Sequence, residues 1–286
     1  MNYSLIWFIC AFATILWQSA QARLIVSNSS PVQGETVEIF YEPVQADGNQ
    51  LEARFNDHSY KFFELHGGSK ILEREKNDKP VWGCLVAVPA DIKPGKYLLN
   101  TGREMQLINV MDAKFPFQYL HLPVSKDNFE ASAGERESIE KAKATLSNQR
   151  WWQGVFSEPC HARRSAAFGL KRVVNGKPLK DYFHSGLDFA APLGKPVMAC
   201  APGKVILAHG DYQLHGNVIA IDHGQGVISF YIHLQKILVN EGDMVKAGQE
   251  IGKVGQTGRA SGPHLHFSIY VNKTSANPII WFQHAF

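Results

Sequence analysis

The sequence predicts a mainly β protein: a small β-sandwich, a linker helix and a second, β-rich domain. Three observations lead to this prediction. Before residue 112, short apolar runs alternate with turn residues at roughly ten-residue intervals, as in small antiparallel sandwiches. A stretch rich in Glu and Lys follows and favours a helix. From residue 151 onward, glycines separate short β-branched runs, which indicates further strands.

Composition narrows the classes of function. The 286 residues are enough for about two domains. Hydrophobic content of 45% and charged content of 19% are typical of a globular protein rather than a disordered one. The formal charge of +3, without a long Lys/Arg run, does not indicate a nucleic-acid partner.

The N-terminal 22 residues resemble a targeting signal. An apolar block, LIWFICAFATILW, precedes Ala20-Gln21-Ala22, which fits a cleavage site. The block is short for a membrane span, so we expect residues 1–22 to be a cleaved signal peptide. Cleavage implies export to the periplasm or cell envelope, or secretion, with no stable membrane insertion. The alternative is an uncleaved anchor, because no Lys or Arg precedes the block.

Three cysteines, Cys84, Cys160 and Cys200, lie beyond this segment. An odd number at irregular spacing predicts no disulfide framework. We interpret them as isolated thiols, although Cys160 and Cys200 could pair in an oxidising compartment.

Residues 23–112 are expected to form an Ig-like β-sandwich. Its strands are predicted from TVEIFYEP, KFFEL, VWGCLVAVP and KPGKYLLN. Because the segment carries no cluster of catalytic residue types, the sequence predicts an accessory binding or positioning module.

Residues 113–150 are predicted to be a connector and a linker helix. The connector contains the aromatic, proline-bearing stretch FPFQYLHLP. The stretch KDNFEASAGERESIEKAKATLSNQR then interleaves Glu with Lys, as on a largely solvated helix.

Residues 151–286 contain nine of the twelve histidines, so we expect the chemistry there. Strands are predicted from VILA, NVIAID, VISFYIHL and HLHFSI. In the last of these, His264 and His266 point to one face of the strand while Leu265 and Phe267 point to the other.

The histidines occur at metal-ligand spacing. His184 precedes Asp188 by four positions, His264 and His266 are separated by one residue, and His233 lies in YIHL. Imidazole nitrogen and carboxylate oxygen are ligands that zinc prefers, and a catalytic zinc keeps three protein ligands and a position for water. Five candidates exceed three ligands, and the remainder suit proton transfer and oxyanion stabilisation.

The segment 152–282 resembles the M23 family of zinc metallopeptidases, also called the LytM or lysostaphin-type domain. The matching stretches are FGLKRVVNGKP, FHSGLDFAAPLGKPVMACAPGKVILA, GNVIAIDHGQGVISFYIHL, VNEGDMVKAGQEIGKVGQTGRASGPHLHFSI and Asn277-Pro278. The resemblance implies an antiparallel β-sheet domain over residues 151–286, with a groove across one face and one Zn²⁺ at its floor. A biotinyl or lipoyl carrier also resembles VNEGDMVKAGQEIGKV, but it would leave the histidine motifs unexplained.

The resemblance also implies residue roles. His184, Asp188 and His266 look like the zinc ligands, and His233 and His264 look like the catalytic pair. In the family, these histidines activate the metal-bound water and stabilise the tetrahedral intermediate, and the usual substrates are peptide cross-links of bacterial peptidoglycan. Some relatives lose ligands, so the alternative is a catalytically silent scaffold that binds peptidoglycan and activates a partner hydrolase.

Two further expectations concern residues outside these motifs. Asn175 could hydrogen-bond the substrate backbone, or it could form a turn with Gly176. The connector at 113–123 could cover the groove, as upstream segments do in certain relatives, which predicts that a 151–286 fragment cleaves faster than the mature protein. His209, His215 and His223 are interpreted as strand-end or turn residues without a catalytic role.

Overall fold

The computed structural model describes residues 22–42, 51–65, 81–123 and 130–286. They form a mainly β protein with mostly antiparallel sheets, so the predicted fold class is confirmed. The predicted signal peptide, apart from its last residue, lies outside the described residues. Over the described ranges, no helix combines the length and the apolar character needed to cross a membrane.

The first part of the chain forms a β-sandwich of two four-stranded antiparallel sheets. Its strands are β1 (Arg23–Val26), β2 (Thr36–Glu42), β3 (Glu52–Phe55), β4 (His58–Lys61), β5 (Phe63–Glu64), β6 (Trp82–Ala87), β7 (Gly95–Asn100) and β8 (Met105–Val110). One sheet has the order β1-β2-β6-β5 and the other β4-β3-β7-β8. Alternate side chains from both sheets, including Ile39, Phe55, Val86 and Leu99, fill a shared core.

The remaining described residues form the following strands and helices: β9 (Phe117–Leu120), α1 (Ala133–Lys143), β10 (Arg163–Ala166), β11 (Lys171–Val174), β12 (Lys177–Pro178), β13 (Leu187–Ala190), β14 (Pro196–Met198), β15 (Gly203–Tyr212), β16 (Gly216–Gly224), β17 (Val227–Leu234), β18 (Lys236–Ile237), β19 (Met244–Val245), β20 (Glu250–Lys253), β21 (His264–Val271), β22 (Thr274–Ala276) and α2 (Pro278–Gln283).

A large antiparallel sheet dominates this second part. Its order is β10-β13-β21-β17-β16-β15-β19, with β22 added beside β21. Its central strands are buried on both faces, because apolar side chains alternate between two cores. Leu265 and Phe267 lie in the core on one side, as predicted, and neither is exposed. Ile232 lies on the other side, and its register partner is His266.

Helix α1 packs on the same face of the large sheet as Ile232. Ile139 and Ala142 contact the core formed by strands β15, β16 and β17. The other charges of this predicted linker helix are largely exposed, as expected, but Glu135 is only 1% exposed. The helix is therefore part of the packing of the large sheet as well as a connection.

The connector contains a strand that local sequence patterns did not predict. Strand β9 pairs with β11 in parallel, and β12 completes a small sheet of order β12-β11-β9. A second small sheet has the order β14-β20-β18. Parallel pairing with a segment far along the chain depends on tertiary packing, which the local pattern does not report.

The sandwich and the large sheet contact each other directly. Trp281 Nε1 donates a hydrogen bond to Thr36 Oγ1 at 3.2 Å, and Asn277 N donates to the Gly34 carbonyl at 2.8 Å. Gly34 has φ +84°, and a Cβ there would lie 2.3 Å from the Phe168 ring, so this junction requires glycine.

Candidate metal centre

Strand register places Asp188 and His266 opposite each other. They are Cα partners in the antiparallel ladder between β13 and β21, so their side chains share one face of the sheet. His184 enters from the loop before β13. Gly186 lets that loop pass close to β21, because a Cβ at Gly186 would lie 2.1 Å from the Phe267 carbonyl oxygen.

Three buried donor atoms converge at this point. His184 Nε2 lies 3.0 Å from His266 Nδ1 and 3.1 Å from Asp188 Oδ1, and His266 Nδ1 lies 2.8 Å from the same oxygen. His184 Nδ1 lies 2.8 Å from the Ala167 carbonyl oxygen. We assign its proton to that bond, which turns the Nε2 lone pair toward the other two donors. Two imidazole nitrogens and a carboxylate oxygen in this arrangement fit a divalent cation.

The protonation states of the trio also suit a cation. Burial raises the pKa of Asp188, but the charges and hydrogen bonds of His184 and His266 hold it well below its usual range. Burial lowers the pKa of His266 to about 4, and the nearby Asp188 carboxylate only partly opposes this. Near neutral pH the carboxylate is ionised and the His266 imidazole is neutral, which are the forms that bind metal ions.

His233 and His264 stand beside the trio. Their ring centroids are 4.9 Å apart, and His264 Nε2 lies 3.9 Å from Asp188 Oδ1. Each ring anchors its Nδ1 on a main-chain carbonyl: His233 on Thr257 at 2.9 Å and His264 on Gly262 at 2.8 Å. The Nε2 atoms are left to face the cleft and exchange a proton there. Burial, followed by the charges of His264 and His266, holds the pKa of His233 well below its usual range.

His233 adopts a backbone conformation that is unusual for its residue type. Its φ is +63°, in the left-handed region, where a non-glycine residue costs on the order of 1–2 kcal/mol. Its amide donates to the His215 carbonyl at 2.9 Å, which ties this strand end to the neighbouring loop. Such strain is concentrated at functional sites, and here it directs the imidazole toward His264.

The five predicted metal-binding and catalytic residues line one cleft of about 360 Å³. The loop from Ser261 to Pro263 forms part of its wall. The connector also contributes, because Gln118, Leu120 and Leu122 line the cleft. Phe117 and Tyr119, at alternate positions, are 53% and 73% exposed.

Two arginines and a tyrosine form a further part of the cleft, which we call the cationic subsite: Arg172, Arg259 and Tyr182. Arg172 is 8% exposed, and its Nη2 lies 3.7 Å from Asp188 Oδ2. Its guanidinium carbon lies 5.1 Å from the centre of the Tyr182 ring. Burial and the nearby Arg172 lower the pKa of Arg259 to about 10, so Arg259 stays cationic at neutral pH.

Sequence reasoning missed a buried contact between α1 and the cleft. Glu135 Oε1 lies 2.6 Å from His215 Nδ1 and accepts a 2.8 Å hydrogen bond from the His215 amide. It also accepts from the Leu214 amide at 3.1 Å. His215 lines the cleft, so this histidine, which was assigned no role, belongs to the cleft wall.

Asn175 lies in a turn with Gly176, the second of the two roles expected for it. Asn175 and Gly176 both have positive φ, +50° and +79°, between β11 and β12. The Asn175 side chain accepts from the Leu122 amide and donates to the Leu122 carbonyl, each at 2.9 Å. It does not line the cleft, so the structure brings it to the connector rather than to the candidate centre.

The other histidines and the cysteines lie elsewhere. His209 stacks on Tyr212 with ring centroids 4.1 Å apart. His223 lies at the end of β16, as expected, but it is fully buried, and its Nε2 lies 2.8 Å from Ser229 Oγ. The three cysteines at positions 84, 160 and 200 are buried free thiols, which matches the isolated-thiol interpretation.

Comparison with known proteins connects this geometry to one family. The family model described as Peptidase family M23 matches residues 182–278, which contain all five site residues. A Pseudomonas aeruginosa protein described as an M23 peptidase has a crystal structure that is 29% identical, with a TM-score of 0.60 over 88% of this chain and 94% of that one.

Two curated relatives carry informative names. Peptidoglycan DD-endopeptidase ShyB of Vibrio cholerae is 47% identical over 101 residues, 35% of this chain and 23% of that protein. DD-carboxypeptidase/endopeptidase Mpg of Neisseria meningitidis is 45% identical over 96 residues, 34% of this chain and 22% of that protein. The match thus spans less than a third of the length of these two relatives.

Proposed function

We propose that the chain, whose residues 182–278 match the model of peptidase family M23, is an exported zinc endopeptidase. Its substrates are the peptide cross-links of bacterial peptidoglycan. The relatives named as peptidoglycan DD-endopeptidases support the substrate, because two of them are 47% and 43% identical over 35% and 33% of this chain. The envelope is then the place of action, and the predicted signal peptide is the means of reaching it.

One observation carries the proposal: three buried donors and two cleft-facing imidazoles, from three separate chain segments, meet at one cleft. The set of two histidines and one aspartate favours zinc over magnesium or calcium, which prefer oxygen ligands. We assign His184, Asp188 and His266 as the ligands of one Zn²⁺. When bound, the metal supplies Lewis acidity to a peptide carbonyl and to a water molecule.

His233 and His264 handle the protons. With Nδ1 fixed on a main-chain carbonyl, each neutral ring can accept a proton only at Nε2, the atom that faces the cleft. The low pKa of His233 keeps that ring neutral and ready to accept a proton from the attacking water. A ring protonated in this way then donates to the developing oxyanion or to the leaving amine.

The accessory parts of the chain take supporting roles in this proposal. We assign residues 23–112 as a module that positions or targets the enzyme, 113–150 as the connector and helix, and 151–286 as the catalytic domain. The silent-scaffold alternative finds no support at the site, because neither a ligand position nor a catalytic-pair position is substituted.

The test is incubation of the purified mature protein with intact sacculi, with and without a chelator, followed by mass spectrometry of the released peptides. We expect chelator-sensitive release of un-cross-linked peptides. Binding to sacculi without any change in cross-linking would instead favour the scaffold.

A further inference from the structure

We propose that the cationic subsite binds a free carboxylate of the substrate, located on the carbon that bears the nitrogen of the scissile amide. This inference rests on the proposed function and specifies its substrate class. The peptides concerned have the form acyl–NH–CH(R)–COO⁻, in which the residue on the amine side of the cleaved bond keeps its carboxylate.

Charge is the first step of the argument. The described residues that line the cleft include two guanidinium groups, those of Arg172 and Arg259, and one carboxylate, that of Asp188. Asp188 is already shared with the two ligand histidines, and a bound divalent cation would add to the positive charge. Partly buried positive charge in excess favours an anionic ligand, because the low local dielectric strengthens their attraction.

Position is the second step. Arg172 Nη2 lies 3.7 Å from Asp188 Oδ2, and the other oxygen of that carboxylate is the one that contacts His184 and His266. The guanidinium therefore directly adjoins the candidate metal ligands. A carboxylate bound by this guanidinium would lie beside the reacting carbonyl, so only a few covalent bonds can separate the two groups in the substrate. In the proposed substrate only the amide nitrogen and one carbon lie between the two groups.

Pre-organisation is the third step. The Arg172 Nε donates to Gln118 Oε1 at 3.1 Å, and the guanidinium lies over the Tyr182 ring. These contacts hold the planar group in place, and a fixed guanidinium suits bidentate binding of a carboxylate better than a flexible ammonium does. The backbone of Arg259 is anchored to the same wall of the cleft, because its amide donates to the Leu214 carbonyl at 3.0 Å.

Two sources could supply this carboxylate: the terminal residue of a peptide stem, or a cross-linking diamino-dicarboxylic acid that keeps one acid group. The experiment therefore uses two matched pairs of probes. One pair is a cross-linked muropeptide dimer with this carboxylate either free or amidated. The other is an acyl-D-alanyl-D-alanine peptide ending as the free acid or as the carboxamide.

We expect the zinc-loaded full-length protein to cleave the free-acid dimer about tenfold or more faster than its amide. A ratio of this size corresponds to the free energy that one charge-assisted hydrogen bond contributes. Arg172→Gln and Arg259→Gln should each lower the acid rate several-fold more than the amide rate. Lys246→Gln, which removes an exposed positive charge outside the cleft, should keep the wild-type ratio. A similar preference in the D-alanyl pair would identify terminal residues as a second source.

The acid-to-amide ratio is measured within one enzyme, so partial loss of metal or of folded protein in a variant lowers both rates and leaves the ratio unchanged. Calorimetric binding of the dimers to chelator-treated protein gives a second readout, in which the acid should again bind more tightly. Equal cleavage of acid and amide by the wild type would overturn the carboxylate subsite while leaving the endopeptidase intact. Failure to cleave any probe or sacculi would overturn the proposed function, and the binding preference would still decide the subsite.

Discussion

His184 Nε2 and His266 Nδ1 lie 3.0 Å apart, although 82 positions separate the two residues in the chain. Two unprotonated ring nitrogens at this distance would repel each other through their lone pairs, so a proton or a cation must lie between them. The Ala167 carbonyl accepts a hydrogen bond from Nδ1 of His184 and so fixes the orientation of the imidazole ring. The site is thus built to share a positive charge among two rings and the Asp188 carboxylate.

The roles of ligand and proton carrier can be separated at His233. Replacement of His233 by Ala should leave zinc bound, because this ring is outside the donor trio, and should reduce the rate about 10²- to 10⁴-fold. Elemental analysis and kinetics on the same preparation measure both quantities. Loss of zinc from this variant would contradict the assigned role.

The backbone at His233 gives an independent prediction about stability. Because φ is +63°, His233→Gly should be more stable than His233→Ala by about 1 kcal/mol, the reverse of the usual order. Urea denaturation of the two variants measures the difference. Lys253, in β20, is the control position, since its φ is ordinary and Ala should be the more stable variant there.

The connector is predicted to restrict the cleft. Leu120 and Leu122 line it, so the double change to Ala in the full-length protein should raise the rate on sacculi. Phe117 and Tyr119 point away on the same segment, and their double change to Ala is the matched control. The 151–286 fragment is also expected to cleave faster, but it lacks α1 and its contact with His215. Unchanged rates in the leucine variant would argue against a covering role.

His223 should make the fold sensitive to acid. Burial lowers its pKa from 6.5 to about 4, so the unfolded chain binds a proton that the folded chain excludes. The associated stability is fully present above pH 6.5 and is lost as the pH falls toward about 4, by about 2 kcal/mol between pH 7 and pH 5. Denaturant unfolding across this range should show a shallower loss for His223→Gln than for the wild type. Parallel pH profiles would show that His223 does not contribute.

Local sequence pattern predicted the parts of the fold that depend on local periodicity. The alternation around His264 and His266 gave the strand and its two faces, and both apolar neighbours are fully buried. The pairing of Asp188 with His266 was beyond such reasoning, because register between distant strands is set by packing across the sheet. Ligand spacing and residue type indicated that these residues share a site, and the family resemblance supplied their separate roles.

The missed features have the same physical origin. Glu135 looked like one more charge on a solvated helix, and its burial follows from the docking of α1 on the large sheet. Strand β9 forms because it pairs with β11. His223 is buried because core residues pack around it and Ser229 supplies a hydrogen-bond partner. Each depends on contacts between segments that the local pattern does not connect.

The central claim is that His184, Asp188 and His266 hold one divalent metal ion. Elemental analysis of the purified, zinc-loaded protein after removal of loose metal tests it most directly. We predict about one zinc per chain, retained in His233→Ala and lost in His266→Ala while the fold persists by circular dichroism. Absence of stoichiometric metal in the wild type, or full retention in His266→Ala, would contradict the account.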